Sequence, residues 1–411
     1  MLLKKSKHNP ILTGLDIGTT KVCAIIGQAD SEGKLTILGM GSCPSKGLRC
    51  GEITEIQPTV DAIHRATQRA MEVANVPIGE IYVGIAGEHI QSMNRDAVVE
   101  IRHPSRGIDE KDRSRAIQKA TRGISLSDDQ ALIQYVVQEF RINEGKPTPN
   151  PIGLCGTSLK VHTHIVTGCV DSMQNIIKCV RRAGFHHPNI VLQSLASSMS
   201  VISPHERELG VALIDVGGGT TDIAVSFEGA IRATGEIPMG GDYISRDIAE
   251  VLSCRINDAE NIKKRIGCAL PDMVERGRTF QVPSAGDCGK LETHEEYTLA
   301  EIIEFRLEDI FELVRGFIDK STFRDRLHAG IVLTGGTALL PGITDVAERI
   351  LEMKCRCGFP AGLKGFAHVV NSPIYATGIG LIYYGMEIRE RERRKRSGVR
   401  RILDYLDDTF A

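Results

Sequence analysis

The chain has no tryptophan, few aromatic residues and no two cysteines at Cys-x-x-Cys spacing. Aromatic residues make up 5% of the 411 residues, and the eleven cysteines are scattered along the chain. Zinc and redox sites that depend on closely spaced cysteine pairs are therefore disfavoured, and an odd number of cysteines cannot all pair internally. We expect reduced thiols, as in a cytoplasmic protein.

An excess of charge of one sign is also missing. Lys and Arg total 50 and Asp and Glu total 52, which gives a formal net charge of −2, so no overall basic excess favours nucleic-acid binding. The first residues lack the apolar core of a secretion signal. The longest weakly charged segment near the end, residues 373–386, is shorter than the ~20 residues that cross a bilayer. A membrane role would therefore need a segment that lies on the surface.

Two stretches of the chain, residues 11–26 and 211–225, share one pattern. Each has an apolar run, an aspartate (Asp16 or Asp215), a turn rich in glycine and threonine, and a second apolar run. This pattern predicts a β-hairpin with a polar tip. Because it occurs once in each half, it indicates duplicated α/β halves that face each other.

A change of character over residues 88–164 indicates an inserted module. Short predicted strands there flank a charged helical stretch, and residues 143–151 form a loop rich in glycine and proline. After the second hairpin, residues 240–326 have mainly helical patterns, interrupted by a polar break at residues 278–296.

The glycine and threonine turns carry the candidate chemistry. Glycine lets backbone N–H groups approach a triphosphate closely, and threonine hydroxyls and the Lys21 ammonium add donors. Asp16 and Asp215 would repel an anion unless a cation lies between them, so they predict a Mg²⁺ held through water. A single hairpin of this kind would more often be an ordinary turn. The candidate phosphate-binding residues are Asp16, Gly18, Thr19, Thr20, Lys21, Asp215, Gly217, Gly218, Gly219 and Thr220.

A third glycine motif, residues 333–342, follows a predicted strand. Gly335, Gly336 and Thr337 stand between this strand and a helix, a junction that can hold an adenosine against bare backbone. The sequence has neither a Gly-x-x-x-x-Gly-Lys-Ser/Thr P-loop nor a Gly-x-Gly-x-x-Gly that opens a helix, which disfavours those two classes. Two hairpins and a third glycine motif together favour a nucleotide site.

As a set, these motifs resemble the actin and heat-shock-chaperone ATPase superfamily, and within it the FtsA family of bacterial cell division proteins. The likeness covers about residues 11–385 and the plan of the tail. Residues 16–21, 215–222 and 333–342 are similar to the superfamily's two phosphate motifs and its adenosine motif, and residues 82–90, 217–224 and 259–263 are similar to stretches of the FtsA family.

The resemblance implies an α/β actin-like ATPase fold, in which duplicated halves surround a nucleotide cleft. A small inserted α+β module and a C-terminal amphipathic helix complete it. The expected boundaries are 10–87, 165–209 and 366–386 for the first core, 88–164 for the module, 210–238 and 328–365 for the second core, 239–327 for a helical subdomain, 387–398 for a tether, and 399–411 for a membrane-targeting helix.

The resemblance also implies ATP and Mg²⁺ as ligands and adds residues to the site. Gly241 would approach the ribose, and Glu260 and Lys263 would flank the ribose and base; without the resemblance, that pair would be a solvated helical face. Gln193, in the first connecting helix, is the candidate for orienting a hydrolytic water. Glutamine is a poor base, so we expect at most a slow ATPase, with nucleotide acting mainly as a conformational and assembly ligand.

The end of the chain predicts a membrane anchor. Residues 389–401 contain eight basic and two acidic residues. The apolar residues that follow share one side of an ideal helix, which is too short to span a bilayer but suited to its interface with water. Three aspartates in this helix weaken the prediction, and docking on a protein is the alternative. The predicted membrane residues are Val399, Arg400, Arg401, Ile402, Leu403, Leu406 and Phe410.

The function implied is that of an adaptor at the division septum. Such a protein is peripheral on the cytoplasmic face of the inner membrane, polymerises, anchors FtsZ filaments (the Z ring) through the FtsZ C-terminal tail, and recruits other divisome proteins through the inserted module. Glu301 and Arg306 lie in a stretch similar to the family's FtsZ-binding helix, although an ordinary surface arginine explains Arg306 equally well. Two alternatives remain: an actin-fold small-molecule kinase or phosphatase, and a pilus-type assembly adaptor, which should lack the basic tail.

Overall fold

The computed structural model describes residues 10–30, 34–286 and 290–410, with side chains as far as residue 393. The first segment forms the predicted hairpin and the helix that covers it. Helix α1 lies close to β3 because Gly41 has no side chain; a Cβ there would be 2.2 Å from the Ala66 carbonyl oxygen. The elements are β1 (Ile11–Ile17), β2 (Lys21–Ala29), β3 (Leu35–Pro44), β4 (Leu48–Arg49), β5 (Glu52–Ile53), α1 (Ile56–Ala74) and β6 (Glu80–Ile85).

The inserted module is a small sheet with one helix packed on it. The helix begins at Asp109, whose carboxylate accepts a hydrogen bond from the Asp112 N–H in a capping box. Its Ala116 and Ala120 are buried against the sheet together with Phe140. The last strand runs to Cys169, past the expected boundary at residue 164. The elements are β7 (Gln91–Glu100), α2 (Glu110–Arg122), β8 (Gln130–Ile142), β9 (Pro147–Thr148) and β10 (Ser158–Cys169).

The chain then returns to the first half and enters the second. Strands β12 and β13 form the second predicted hairpin, in which Asp215 lies opposite Asp222. All residues of β12 are buried, Asp215 included, and the other five are apolar, as expected of a strand covered on both faces. The elements are α3 (Val170–Arg182), β11 (Asn189–Leu192), α4 (Gln193–Val201), α5 (Pro204–Leu209), β12 (Val211–Val216), β13 (Thr221–Phe227) and β14 (Ala230–Ile237).

The remaining residues form a helical region, the end of the second half and a long final helix. The polar break predicted at residues 278–296 contains a β-hairpin. The elements are α6 (Gly241–Val251), α7 (Ile256–Ile266), β15 (Thr279–Pro283), β16 (Leu291–Glu295), α8 (Glu296–Lys320), β17 (Ile331–Thr334), α9 (Ile343–Leu351), β18 (Cys355–Cys357), β19 (Leu363–Gly365), α10 (Ala367–Val370) and α11 (Ala376–Phe410).

Two main sheets repeat one plan. Of the described strands, six form the order β11-β6-β1-β2-β3-β19 and five form β14-β13-β12-β17-β18. In each sheet, the strand that ends in the aspartate pairs antiparallel with its hairpin partner and parallel with a strand from later in the chain. The sequence-predicted α/β fold with duplicated halves is confirmed. One boundary differs: residues 363–365, expected in the second core, pair with β3 of the first sheet.

The two connecting helices, α4 and α11, lie in direct contact between the sheets. A Cβ on Gly380 would be 1.8 Å from the Ala196 carbonyl oxygen, so this crossing requires glycine. Helix α11 continues without a break through the predicted tether at residues 387–398. The Arg389 guanidinium holds it to the Glu80 carboxylate of β6 at 2.6 Å.

The predicted membrane residues 399–410 belong to α11 as backbone, and their side chains lie outside the described residues. Position 411, the last of the predicted membrane-targeting helix, is also outside them. Within the described part of the chain, no helix combines the length and apolar composition needed to cross a bilayer.

The inserted module contacts both halves. In the first half, the Leu192 N–H donates to Gln134 Oε1 at 3.1 Å. On the side of the second half, His164 of β10 is hydrogen-bonded through Nε2 to the Thr234 hydroxyl of β14 at 2.9 Å. Burial lowers the pKa of His164 to about 4, so this imidazole is neutral at physiological pH.

Candidate nucleotide site

The tips of the two hairpins, one from each half, lie in contact with each other. We call residues 16–21 the first turn and residues 215–220 the second turn. A Cβ on Gly218 would be 2.0 Å from the Thr20 hydroxyl oxygen, and one on Gly219 would be 2.5 Å from that of Thr19. The second turn therefore needs glycine at both positions to approach the first.

The two turns have the same internal hydrogen bond. In the first, the Gly18 N–H donates to the Lys21 carbonyl at 2.9 Å; in the second, the Gly217 N–H donates to the Thr220 carbonyl at 2.9 Å. Each bond closes the hairpin at the same point after its aspartate. The sequence repeat is thus also a repeat of backbone structure.

Neighbouring elements hold the second turn from behind. The N–H groups of Gly241 and Asp242, at the start of α6, donate to the carbonyls of Gly217 and Gly218 at 2.9 and 2.8 Å. The Thr337 hydroxyl donates to the Gly217 carbonyl at 3.1 Å. These bonds bring three sequence-predicted groups together: the second turn, Gly241 and the third glycine motif.

Asp215 is buried between the two connecting helices. Its Oδ2 accepts hydrogen bonds from the hydroxyls of Ser197 on α4, at 2.6 Å, and Thr377 on α11, at 3.3 Å. Burial raises the pKa of Asp215 to about 6, although the Ser197 hydrogen bond opposes the shift. Gly335 lies directly against this carboxylate with φ at +88°, and a Cβ there would be 2.4 Å from Asp215 Oδ1. Both the backbone conformation and the contact favour glycine at this position.

Asp16 is also buried but has a cation beside it. The Lys21 ammonium lies 3.7 Å from Asp16 Oδ2. Burial raises the pKa of Asp16, and Lys21 opposes the rise. The same ammonium donates to the Ile374 carbonyl at 2.9 Å and lies 4.9 Å from the centre of the Tyr375 ring. Lys21 thus connects the first turn to the segment that enters α11, a contact that the sequence analysis did not foresee.

Two further carboxyls lie buried beside the second turn. Asp222 and Glu236 are cross-strand partners on β13 and β14. Burial, and after it the neighbouring Glu236, raises the pKa of Asp222 well above its ordinary value, and burial raises that of Glu236 to about 7. No group of three His, Cys, Asp or Glu side chains among the described residues is arranged to hold a metal directly.

The predicted adenosine side contains a tight network around Lys263. Its ammonium donates to the Gly241 carbonyl at 2.7 Å and to the Ser245 hydroxyl at 2.8 Å, and it lies 2.6 Å from the Glu260 carboxylate. Burial raises the pKa of Glu260, but Lys263 and other donors outweigh this and leave it lowered. In the third glycine motif, a Cβ on Gly336 would meet no heavy atom within 4 Å. Gly336 therefore faces open space.

Gln193 begins α4 but points its stem at β6. A Cβ on Gly84 would be 2.8 Å from Gln193 Cγ. Among the described residues, the side chain that reaches Asp215 from α4 is Ser197, one helical turn later. Sequence analysis placed Gln193 in the first connecting helix but missed Ser197, one turn later in that helix, and Thr377 on α11.

Arg306, the predicted partner-binding cation, is already paired. Its Nε lies 2.5 Å from Asp247 Oδ2, its Nη2 3.0 Å from Asp247 Oδ1, and its Nη1 2.9 Å from Asp309 Oδ2. Glu301, one turn earlier on α8, is exposed. Between them Phe305 is 67% exposed, a large share for a phenylalanine.

Comparison with known proteins decides the family. The chain is 42% identical over 377 residues to the cell division protein FtsA of Pseudomonas aeruginosa, covering 92% of this chain and 89% of that one. It belongs to the FtsA family. With FtsA of Escherichia coli strain K12 it is 34% identical over 422 residues, 99% of this chain and 100% of that one. Membership gives the chain a role in cell division.

The family models match in two parts. The model "Cell division protein FtsA" covers residues 212–380, and the model "SHS2 domain inserted in FTSA" covers residues 87–167. The second range falls on the inserted module, which sequence analysis bounded at residues 88–164.

Solved structures confirm the actin-like fold of this FtsA family member. A PilM–PilN complex of type IV pilus biogenesis matches with a TM-score of 0.64 at 14% identity, over 91% of this chain and 98% of that one. MreB5 of Spiroplasma citri bound to AMPPNP matches with a TM-score of 0.57 at 13% identity, over 94% and 99%. At such identities the likeness concerns the fold alone.

Proposed function

We propose that this FtsA family member binds ATP with Mg²⁺ between the first and second turns and uses it to control assembly. The observation that carries the proposal is the meeting of two glycine–threonine turns from opposite halves, with Gly218 and Gly219 lying against Thr20 and Thr19. Backbone N–H groups in turns of this kind suit an anion. The MreB5 structure with AMPPNP is a solved case of a nucleotide on this fold.

The chemistry of the residues present fits a magnesium nucleotide. A bound Mg²⁺ would supply the positive charge that lets triphosphate oxygens approach Asp16 and Asp215. Asp16 and Asp215 would hold it through water, because Mg²⁺ keeps several waters and prefers few carboxylates. Thr19, Thr20 and Thr220 would add donors, and Lys21 would have to leave the Ile374 carbonyl to reach a phosphate. Gly241, Glu260, Lys263, Gly335, Gly336 and Thr337 would surround the adenosine.

We expect slow ATP hydrolysis at most, because the residues that could activate a water are weak bases. Gln193 can orient a water but does not accept its proton readily, and the Ser197 and Thr377 hydroxyls are weak bases. The bound nucleotide would therefore persist and act by favouring one arrangement of the two halves.

Gly336 and Asp215 offer the sharpest tests of nucleotide binding. Gly336→Ala adds a methyl group where the protein leaves space and where φ is −65°, so we expect an unchanged melting temperature and at least tenfold weaker ATP binding by isothermal titration. Asp215→Ala should abolish the Mg²⁺-dependent part of binding. Asp61→Ala, on the exposed face of α1, is the matched control. Full ATP affinity in both site variants would refute the nucleotide site.

Attachment to an anionic membrane surface is the second part of the proposal. It rests on the basic run over residues 389–401 and the apolar side of residues 399–410 in the sequence. Each basic residue near an anionic leaflet contributes about 1 kcal/mol, so one tail binds reversibly and many tails on a polymer bind tightly. Removal of residues 399–411 should leave nucleotide binding intact and abolish sedimentation with anionic liposomes. Undiminished sedimentation would exclude the tail as the anchor.

The third part concerns the partner filament. We propose that the C-terminal tail of FtsZ docks on α8 near Glu301 and Arg306, with Phe305 as the apolar contact, because Arg306 already has two carboxylate partners. Phe305→Ala should weaken binding of an FtsZ-tail peptide about tenfold, whereas Leu313→Ala, an equally apolar change at a 48% exposed position of α8, should not. Equal effects of the two substitutions would mean that the FtsZ tail docks elsewhere.

Recruitment of other divisome proteins would use the inserted module, and the site of action would be the septum.

A further inference from the structure

Strand β7 lies at one edge of the sheet of the inserted module. Strand β7 pairs with β10 along Gln91–Glu100. Among the described strands, none pairs with the opposite edge of β7. Such an edge presents backbone N–H and C=O groups that a further strand can bind.

Helix α2 turns this edge into a groove. Its buried residues, Ala116 and Ala120, pack on the sheet. The neighbouring face of α2 lies beside the end of β7 and carries Arg115, Gln118, Lys119 and Arg122. Together they enclose a groove of about 770 Å³, lined by Val98, Val99, Glu100, Arg102, Arg115, Gln118, Lys119 and Arg122.

The charge of this groove is one-sided. Four of the lining residues are cations and one, Glu100, is an acid. The Lys119 ammonium donates to the Val98 carbonyl at 2.8 Å, and the Arg115 guanidinium donates to the Glu100 carbonyl. Both carbonyls therefore point away from β10, into the groove. In an antiparallel strand the N–H and C=O of one residue point the same way, so the Val98 and Glu100 N–H groups face the groove as well.

Two of the cations have no partner in the described part of the chain. Both residues, Arg102 and Arg122, are exposed, and their guanidinium groups make no ion pair or hydrogen bond with any described residue. By contrast, Arg115 and Lys119 occupy the edge carbonyls of β7, a known way of protecting a strand edge from unwanted pairing. Arg115 already has the Asp112 carboxylate at 2.8 Å. A ligand with carboxylates would therefore draw Lys119 off the Val98 carbonyl and pair with Lys119, Arg102 and Arg122.

We propose that an extended acidic peptide of a partner protein binds this groove as an added strand on β7, with its carboxylates on Arg102, Lys119 and Arg122. A groove between an edge strand and a helix is the arrangement in which PDZ and PTB domains bind peptides by strand addition. The part of β7 that lines the groove, Val98 to Glu100, offers about 10 Å of extended chain, enough to pair with about three peptide residues. The inference goes beyond nucleotide binding and rests on the proposed role of the module only in assigning the peptide to a division partner.

A strand edge selects a peptide over other polyanions. Nucleic acid and lipid headgroups would satisfy the cations but leave the outward N–H groups of Val98 and Glu100 unused. A peptide backbone provides carbonyls for those N–H groups and an N–H donor for the Val98 carbonyl that Lys119 vacates. The contact then combines backbone hydrogen bonds with charge pairs.

The test uses the full chain and a fluorescent six-residue peptide of alternating glutamate and valine, followed by anisotropy. Arg102→Ala with Arg122→Ala should weaken binding at least tenfold. Arg106→Ala with Lys111→Ala removes the same charge from exposed positions outside the groove and should leave binding within twofold. Glu100→Gln, which removes the acid from the groove, should tighten binding severalfold. No binding to the unmodified chain at millimolar peptide, or equal losses in both double variants, would overturn the proposal.

A second probe separates strand addition from simple charge attraction. The same peptide with alternate backbone nitrogens methylated keeps its charges but loses hydrogen bonds, and its binding should fall at least tenfold. The bound unmethylated peptide should slow amide exchange at Val98 and Glu100. Equal affinity of the two peptides, or an oligonucleotide that displaces the peptide from the wild type with no exchange protection, would overturn strand addition. ATP affinity measured on the same variants should not change, so failure here is distinct from failure of the nucleotide site.

Discussion

The first and second turns share a sequence pattern and a hydrogen bond, yet their aspartates lie in different surroundings. Asp16 has the Lys21 ammonium 3.7 Å away. Asp215 has no cation at that distance among the described residues and instead accepts from the hydroxyls of Ser197 and Thr377. Duplication thus preserved the backbone of the turn while the surroundings of its carboxylate diverged.

This difference separates the roles of the two carboxylates. Asp16 is already partly neutralised, whereas the charge of Asp215 is stabilised by neutral donors and its pKa is raised to about 6 by burial. A cation that approached both would gain more from Asp215, because that carboxylate has the least charge compensation. We therefore expect the two turns to respond unequally to equivalent changes.

Replacing each aspartate by asparagine should show the largest inequality. Asp215→Asn should weaken Mg²⁺-dependent ATP binding about 100-fold, which corresponds to about 2.7 kcal/mol, and Asp16→Asn about tenfold. In the absence of ligand, Asp215→Asn should raise the melting temperature at pH 7.5, since a buried charge is removed. Titration calorimetry and thermal unfolding measure both, and equal losses of affinity would remove the distinction between the turns.

A methyl group on each turn should have the next largest effect. Gly218→Ala places a Cβ 2.0 Å from the Thr20 hydroxyl, whereas Gly18→Ala places one 3.1 Å from the Lys21 carbonyl. The first change should push the halves apart and cost about 1–3 kcal/mol of stability, and the second should cost less. Adding Thr20→Ala to Gly218→Ala should recover part of the loss in chemical denaturation. No recovery would mean that the contact between the turns does not cause the loss.

The pH dependence of binding should follow Asp215. Its folded-state pKa of about 6 lies above the ordinary 3.8, so the carboxylate is protonated below pH 6 and cannot attract Mg²⁺. The association constant for Mg²⁺ and ATP should fall about tenfold per pH unit below 6 and stay level above pH 7. Asp215→Asn should lose the part of the slope that Asp215 causes and keep the parts due to the nucleotide and to Asp16, whose pKa burial also raises. An identical slope in the variant would assign the dependence to another group.

The smallest expected effect is the loss of one hydroxyl. Ser197→Ala removes a donor that lowers the pKa of Asp215, so the midpoint of the binding profile should move to higher pH. The affinity at pH 7.5 should fall severalfold, in line with about 0.5–1.5 kcal/mol for one hydrogen bond. Ser200→Ala, on the same helix but bonded to the Ala376 carbonyl, serves as the control. If both variants shift the midpoint alike, the effect comes from packing of α4 and not from Asp215.

The sequence was informative where a local pattern determines the structure. Both hairpins are visible because an apolar run, an aspartate and a glycine-rich turn leave few alternatives for the backbone. The helix of the inserted module is visible as a charged stretch with a helical pattern, and the structure adds the Asp109 cap at its start. The repetition of the hairpin pattern indicated two halves that face each other, and the resemblance to the FtsA family added the expected nucleotide cleft between them.

What the sequence did not predict depends on contacts between distant segments. Strand β19 has three residues, and only its place beside β3 makes it a strand. Strands β15 and β16 lie in a polar stretch that the sequence analysis interpreted as a break between helices. Strand β15 alternates exposed and buried residues, whereas β16 has only exposed and half-buried ones. Arg306 was expected to be available to a partner because nothing in its own helix indicates that Asp247 of α6 lies beside it.

Helix α11 connects the surroundings of Asp215 to the C-terminal tail. It starts at Ala376, next to Thr377 on the Asp215 carboxylate, and its 35 residues span about 50 Å. The Arg389–Glu80 ion pair lies partway along it and can act as a pivot. A tilt of about 5° about this ion pair would move the far end of a straight helix, 21 residues away, by roughly 3 Å. A displacement of ångström size beside Asp215 would thus become a larger displacement at the C-terminal end of α11.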